Sequence, residues 1–192
     1  MIPIVSLSDF ANGIISAIIT AILMAMYYRS NQRAFILFIG FYFNFALFWM
    51  FFAVGGLLSM DPVTITIADT IAYIFSFLAL IFLIQIPFLF ISKPVIRYSS
   101  IIIILATAAA FLIGRNYNRE LDVLQVIPPY IFWAETYPFA LRLVPGIISS
   151  ITMVAFSSIF FYIYKNTDPQ SRAKGVALNF AIGGLLILFA SI

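Results

Sequence analysis

An all-α, polytopic membrane helix bundle of six transmembrane helices is the fold this sequence predicts, and three observations predict it. Of the 192 residues, 64% are hydrophobic and only 9% charged, more apolar surface than a single soluble core of that length can hide. Apart from Asp69 and Lys174, the charges fall before or between apolar runs at 10–28, 34–58, 62–91, 98–114, 144–164 and 173–192, most of them long enough to cross a bilayer. Asp61-Pro62 and Asp168-Pro169 stand before two of these runs, each a capping side chain followed by the residue best tolerated at the first helical position. A helix is the open, non-barrel way to cross hydrocarbon with every backbone group satisfied. The chain therefore forms a single transmembrane domain over 1–192, with an outer loop at 115–142.

Composition also removes chemistry. With no Cys and no His, the chain has no thiol redox couple, no imidazole for haem, no Cys/His zinc site and no Ser-His or Cys-His nucleophile pair. No cofactor and no metal is implied. The remaining acids are scattered over different loops rather than converging, so the chain is expected not to be an enzyme. The net charge of +3 comes from bases dispersed among the loops, which speaks for membrane topology and against a nucleic-acid partner.

The first span, 10–28, follows Ser6, Ser8 and Asp9, any of which can cap it, and Met1 to Leu7 lacks the basic residue of a signal peptide. Gly13, Ala17, Ala21 and Ala25 recur on it every four residues. Such a flat stripe lets helices approach closely in lipid, either within the bundle or against a partner membrane subunit. The second span is unusually aromatic: ten of the eighteen residues from Phe35 to Phe52 are Phe, Tyr or Trp. They occupy all sides of the helix, so no single cofactor-facing wall is expected, and lipid contact and interhelix packing are the default. Asn44, in the middle, is expected to bond across helices or to meet a ligand.

The third span, 62–91, would be about 45 Å long as a helix, well beyond the roughly 30 Å of hydrocarbon, so it must tilt, kink or stand proud. Pro87 near its far end removes a backbone donor and predicts a kink. Asp69 is the one acid inside a long apolar run, and Thr66, Asp69, Tyr73 and Ser76 share a helix face, with Gln85 opposite. A fourth span of about 17 residues follows the Lys93 and Arg97 loop. In the outer loop, Ile127 to Phe139 is apolar, aromatic and broken by prolines. It cannot span; Tyr130, Trp133 and Tyr137 suit headgroup level, so the segment lies on the surface or folds over the bundle as a lid. The fifth span opens with Pro145 and carries Ser149, Ser150, Thr152, Ser157 and Ser158, hydroxyls able to bond back to the preceding turn. The sixth has Asn179, Gly183 and Gly184 and stops still apolar, so it ends at the far interface or continues into a longer protein.

Seven of the ten bases lie in the odd loops (Arg29, Arg33, Lys93, Arg97, Lys165, Arg172, Lys174), which the positive-inside rule makes cytoplasmic, with both termini outside. The candidate ligand residues are Asp69, Thr66, Tyr73, Ser76, Arg142 and Trp133. Arg142, at matching depth, is the expected cation for Asp69; the alternative is a solvated acid favoured by the helix N-terminus.

Asn31-Gln-Arg-Ala34, Ala46-Leu-Phe-Trp49, Asp61-Pro62 and the long helix passing Tyr73 and ending in Phe88-Leu-Phe90 resemble the first three helices of the seven-helix sensory input regions found ahead of microbial histidine kinases and cyclase domains. The basic Arg172-Ala-Lys174 before the last helix is similar too. The resemblance implies a non-catalytic detector with an outward-facing site in the cell membrane. Two other functions fit a chain of this kind: an accessory subunit of a larger membrane complex, and a small solute transporter, although a midplane charge or broken helix expected of the latter is not evident.

Overall fold

The chain is described by a computed structural model for residues 3–32, 34–118, 121–128, 130–134, 136, 138–168 and 170–190, at 118, 124, 126, 132–134 and 187–190 by backbone alone. Among them the elements run α1 (Ile4–Ser30), α2 (Ala34–Phe52), α3 (Val54–Leu57), α4 (Pro62–Gln85), a 3-10 turn (Pro87–Leu89), α5 (Pro94–Asn118), β1 (Val123–Ile127), β2 (Tyr130–Ala134), α6 (Phe139–Asn166) and α7 (Arg172–Ala190). Five helices are long and apolar enough to cross a bilayer: α1, α2, α4 with its 3-10 turn, α5 and α6. The sixth expected span coincides with α7, whose last side chains lie outside the described residues.

The central helix is α4. Half of its apolar window is buried in the bundle, against 11 to 28% in the other four. Its start follows from sequence: the Asp61 side chain accepts from the Thr64 amide at 2.8 Å and from the Thr64 hydroxyl at 2.7 Å, with Pro62 at the first helical position. Those two bonds hold the exposed Asp61 carboxyl below its ordinary range. At the other end α4 stops at Gln85, and Pro87 opens a 3-10 turn rather than a kink within a continuing helix. Arg97 then donates to Gln85 Oε1 at 2.6 Å, tying the start of α5 to the end of α4.

Packed on α4 are α2 and α5, with α1 beyond α2; α6 pairs with α7 and touches α4 and α5. Gly40 explains how closely α2 and α4 approach, since a Cβ there would sit 2.4 Å from the Phe82 ring. Asn44, expected to bond across helices, is buried but donates to Gly40 O of its own helix at 2.7 Å.

Several boundaries differ from the sequence expectation. The second span ends at Phe52, not 58, because Gly55 and Gly56 leave helical geometry, Gly56 at φ +82° where only glycine is at ease. The turn this makes presents Gly55 O to the Ser6 hydroxyl, and with that bond α1 starts at Ile4. Ser6 and Asp9 are thus buried inside α1 rather than capping it. Both α5 and α6 run longer than their spans of 98–114 and 144–164, and Pro145 lies within α6 rather than at its start. The last helix opens at Arg172, after Ser171 and not after Asp168-Pro169; Pro169 lies outside the described residues.

The long loop contains one departure from an otherwise helical fold. Val123–Ile127 pairs antiparallel with Tyr130–Ala134, in register from Val123 opposite Ala134 to Ile127 opposite Tyr130. The β-branched and aromatic content of both runs favours strand, with Pro128 in the turn after β1. Ile131 is buried, and the hairpin rests on α1 and α3.

Candidate functional site

At the hairpin end of the bundle the α4 face predicted from spacing meets two side chains from elsewhere. Arg115, in the last turn of α5, forms ion pairs with both Asp69 of α4 and Asp122 just before β1. Its Nε donates to Thr70 Oγ1 at 2.9 Å. Thr70 in turn donates to Thr66 O at 2.7 Å, while Thr66 Oγ1 accepts the Asp122 amide at 2.9 Å and donates to Pro62 O at 2.8 Å. Asp69 is 1%, Asp122 0% and Arg115 6% exposed. Buried charges persist only when paired and hydrogen-bonded, and the guanidinium fork can serve two carboxylates and a hydroxyl at once, which an ammonium cannot do with the same geometry.

Asp69 therefore faces the bundle interior and is not a solvated acid at the headgroups. The cation on it is Arg115, where the argument from depth offered Arg142; Arg142 stands exposed near the start of α6. Sequence reasoning counted Arg115 as the first residue of a loop. Its signal was available: a single base at the end of an apolar run, at the depth of Asp69 once the helix runs past 114. An open depression of about 810 Å³ around Thr66, Thr70, Arg115, Asn116 and Tyr117 leads to the cluster from the hairpin end. Trp133 lies in β2 opposite Leu124, its side chain outside the described residues, as is Tyr137.

The other two residues of the predicted face lie deeper. The Arg115 guanidinium is 5.8 Å from the centre of the Tyr73 ring, which also meets Phe111 edge-on at 4.8 Å and Phe52 at 5.6 Å. Tyr73 and Ser76 then line a cavity of about 320 Å³ between α2, α4 and α6. Phe41, Phe45, Phe48 and Trp49 form its α2 side, with Gly146, Ser149 and Ser150 opposite on α6. The ten aromatic residues of the second span do not form one wall, yet a subset of them shares this cavity. Four of the ten stand at i, i+4, i+7 and i+8, one helical face, and the crowd of rings on the other faces concealed that period. Ring contacts hold the wall: Phe41 stacks on Phe45 at 5.5 Å and Phe45 meets Trp49 edge-on at 5.7 Å.

The hydroxyls also depart from expectation. Thr20, Thr66, Thr70, Ser100 and Thr107 each bond back to the carbonyl four residues earlier. Ser76, Ser149 and Ser150 do not, and among the described residues they make no hydrogen bond. A second cavity of about 180 Å³ lies beyond Phe41 and Met153, lined also by Asn179, Gly183 and Gly184.

On α1 the four-residue stripe divides. Gly13 is buried against α2, where a Cβ would fall 2.8 Å from Met50 Cγ and 3.3 Å from the Met50 nitrogen. Ala17 and Ala21 line a groove of about 350 Å³ between α1 and α2, and Ala25 is exposed. The buried face of α1 is instead Ser6, Asp9, Gly13, Ser16 and Thr20.

Fold and site together define a polytopic helical protein with at least five helices of membrane-spanning length and apolarity among the described residues, and a buried charge cluster at one end. Comparison of the chain with protein-family models, with curated proteins and with solved structures finds no match.

Proposed function

We propose that the chain is a non-catalytic sensory input module of the cell membrane, binding a ligand from its outward-facing side. One observation carries the reading: the Tyr73 ring lies beneath Arg115 and also lines the aromatic cavity, so one side chain touches both a space for a ligand and the ion pairs that join α4, α5 and the segment before the hairpin. A ligand that displaces Tyr73 changes the packing under Arg115. It thereby biases how α4 and α5 sit against each other, which is the differential contact that a two-state signal requires.

The test exploits the absence of Cys. Spin labels on cysteines at Ser92 and Asn166 report the distance between the α4–α5 turn and the end of α6. Asp69→Asn keeps the side-chain shape and loses the charge, and is expected to shift that distance distribution while the protein stays folded. An unaltered distribution in a folded Asp69→Asn protein would leave the cluster purely structural and the sensory reading without its switch.

The orientation belongs to the same proposal: six spans, with Ser30, Ser92 and Asn166 cytoplasmic and Asn118 outside. Single cysteines at these positions, treated with an impermeant maleimide on intact cells, are expected to label at Asn118 alone. Labelling at Ser30 or Ser92 without Asn118 inverts the orientation.

The groove lined by Ala17 and Ala21 favours a second reading, an accessory subunit that docks a partner helix through α1. Blue-native electrophoresis separates the two, since a stable assembly with unlike subunits is expected only of the accessory subunit.

A further inference from the structure

We propose that the cavity between α2, α4 and α6 is the ligand site itself, and that its ligand class is a small, uncharged, largely aromatic molecule carrying a hydroxyl or carbonyl group. The inference deepens the sensory reading by naming what is sensed. The volume of about 320 Å³ falls at the lower end of small-molecule pockets, and a position between helices of a bundle is one of their usual places. None of its lining residues is charged, which sets the ligand as neutral. The ring wall of Phe41, Phe45 and Trp49 is already assembled by its own contacts, so it offers faces and edges to a planar guest without reorganising.

Polarity comes from a second, independent feature. Ser76 from α4 and Ser149 and Ser150 from α6 approach the same space from opposite sides, and among the described residues none uses its hydroxyl in the back-bond that Thr66 and Thr70 of α4 and Ser100 and Thr107 of α5 make. Hydroxyls left free at membrane depth are costly unless something polar meets them. A lipid acyl chain fills volume but satisfies none of the three; a guest with one donor or acceptor satisfies at least one. Gly146 supplies the remaining room, because a Cβ there meets nothing within 4 Å.

The experiment reads occupancy through Trp49. The chain has two Trp residues, so a Trp133→Phe background leaves Trp49 as the single indole. In nanodiscs of fixed lipid content, 4-nitrobenzyl alcohol, a neutral aromatic with one hydroxyl whose nitro ring quenches indole, is expected to quench Trp49 saturably above its linear partition into lipid. Gly146→Leu, which fills the cavity, is expected to weaken that saturable component by about tenfold or more. Combined Ser76→Ala, Ser149→Ala and Ser150→Ala keeps the volume and is expected to weaken it about three- to tenfold, which also carries the test if Gly146→Leu fails to fold. Strictly linear quenching, or the same saturable curve in a folded variant of either kind, overturns the proposal. In nanodiscs of phosphatidylcholine with a dibrominated acyl chain, quenching of Trp49 by the lipid that the alcohol does not relieve means that an acyl chain fills the cavity, and overturns it as well. Because this reads binding alone, saturable quenching with no change in the Ser92 to Asn166 distances would sink the sensory reading and leave the ligand site standing.

Discussion

Arg115→Leu is expected to destabilise the folded protein by about 3–5 kcal/mol, the largest effect of any single substitution considered. The size follows from what remains: Asp69 and Asp122 stay where they are, 1% and 0% exposed, without the guanidinium that both contact. Arg115→Lys is expected to fall between the variant and the parent, since an ammonium lacks the planar fork that reaches two carboxylates and Thr70 together. Replacing the whole set, Arg115→Leu with Asp69→Leu and Asp122→Leu, should recover most of the loss, because removing all members of a buried ionic cluster removes its desolvation cost too. Thermal melting and denaturant titration in one detergent measure all three. A single Arg115→Leu variant within about 0.5 kcal/mol of the parent, the range of an ordinary surface change, would mean that the cluster does not hold the hairpin end together.

Gly13→Leu is expected to cost about 1–3 kcal/mol and to loosen α1 from α2. The obstruction is partly backbone: beyond Met50 Cγ, a Cβ meets the Met50 nitrogen at 3.3 Å and the Ala46 carbonyl oxygen at 3.4 Å, and neither can swing aside like a side chain. Ala21→Leu is the contrast. It faces the groove between α1 and α2 and should leave melting nearly unchanged, while changing assembly size if a partner helix docks there. Equal melting of Gly13→Leu and Ala21→Leu would show that α1 does not pack through Gly13. Protease accessibility of the α1–α2 turn gives a second measure of whether α1 has come loose.

Local chemistry is what the sequence determined. Helix capping and apolar run length act within a few residues, so the Asp61 cap and the central place of the 62–91 segment were legible without tertiary contacts, whereas Pro87 predicts a kink in a helix running to 91 and α4 in fact stops at Gln85. Spacing on one helix was equally legible: Thr66, Asp69, Tyr73 and Ser76 do share a face. What no window on one helix contains is the neighbour across that face. Arg115 reaches Asp69 from 46 positions further on, and Asp122 completes the cluster only because the chain turns back after α5. The same limit hid the aromatic wall, whose four rings matter only where α6 leaves space opposite them. It also hid which member of the small-residue stripe is buried, since Gly13 differs from Ala21 through Met50 and Ala46 of another helix rather than through anything in α1. Helices form from short-range bonds that a sequence window holds whole, whereas pairing of buried charges and the shape of a cavity depend on helix adjacency, which only the packed tertiary structure decides.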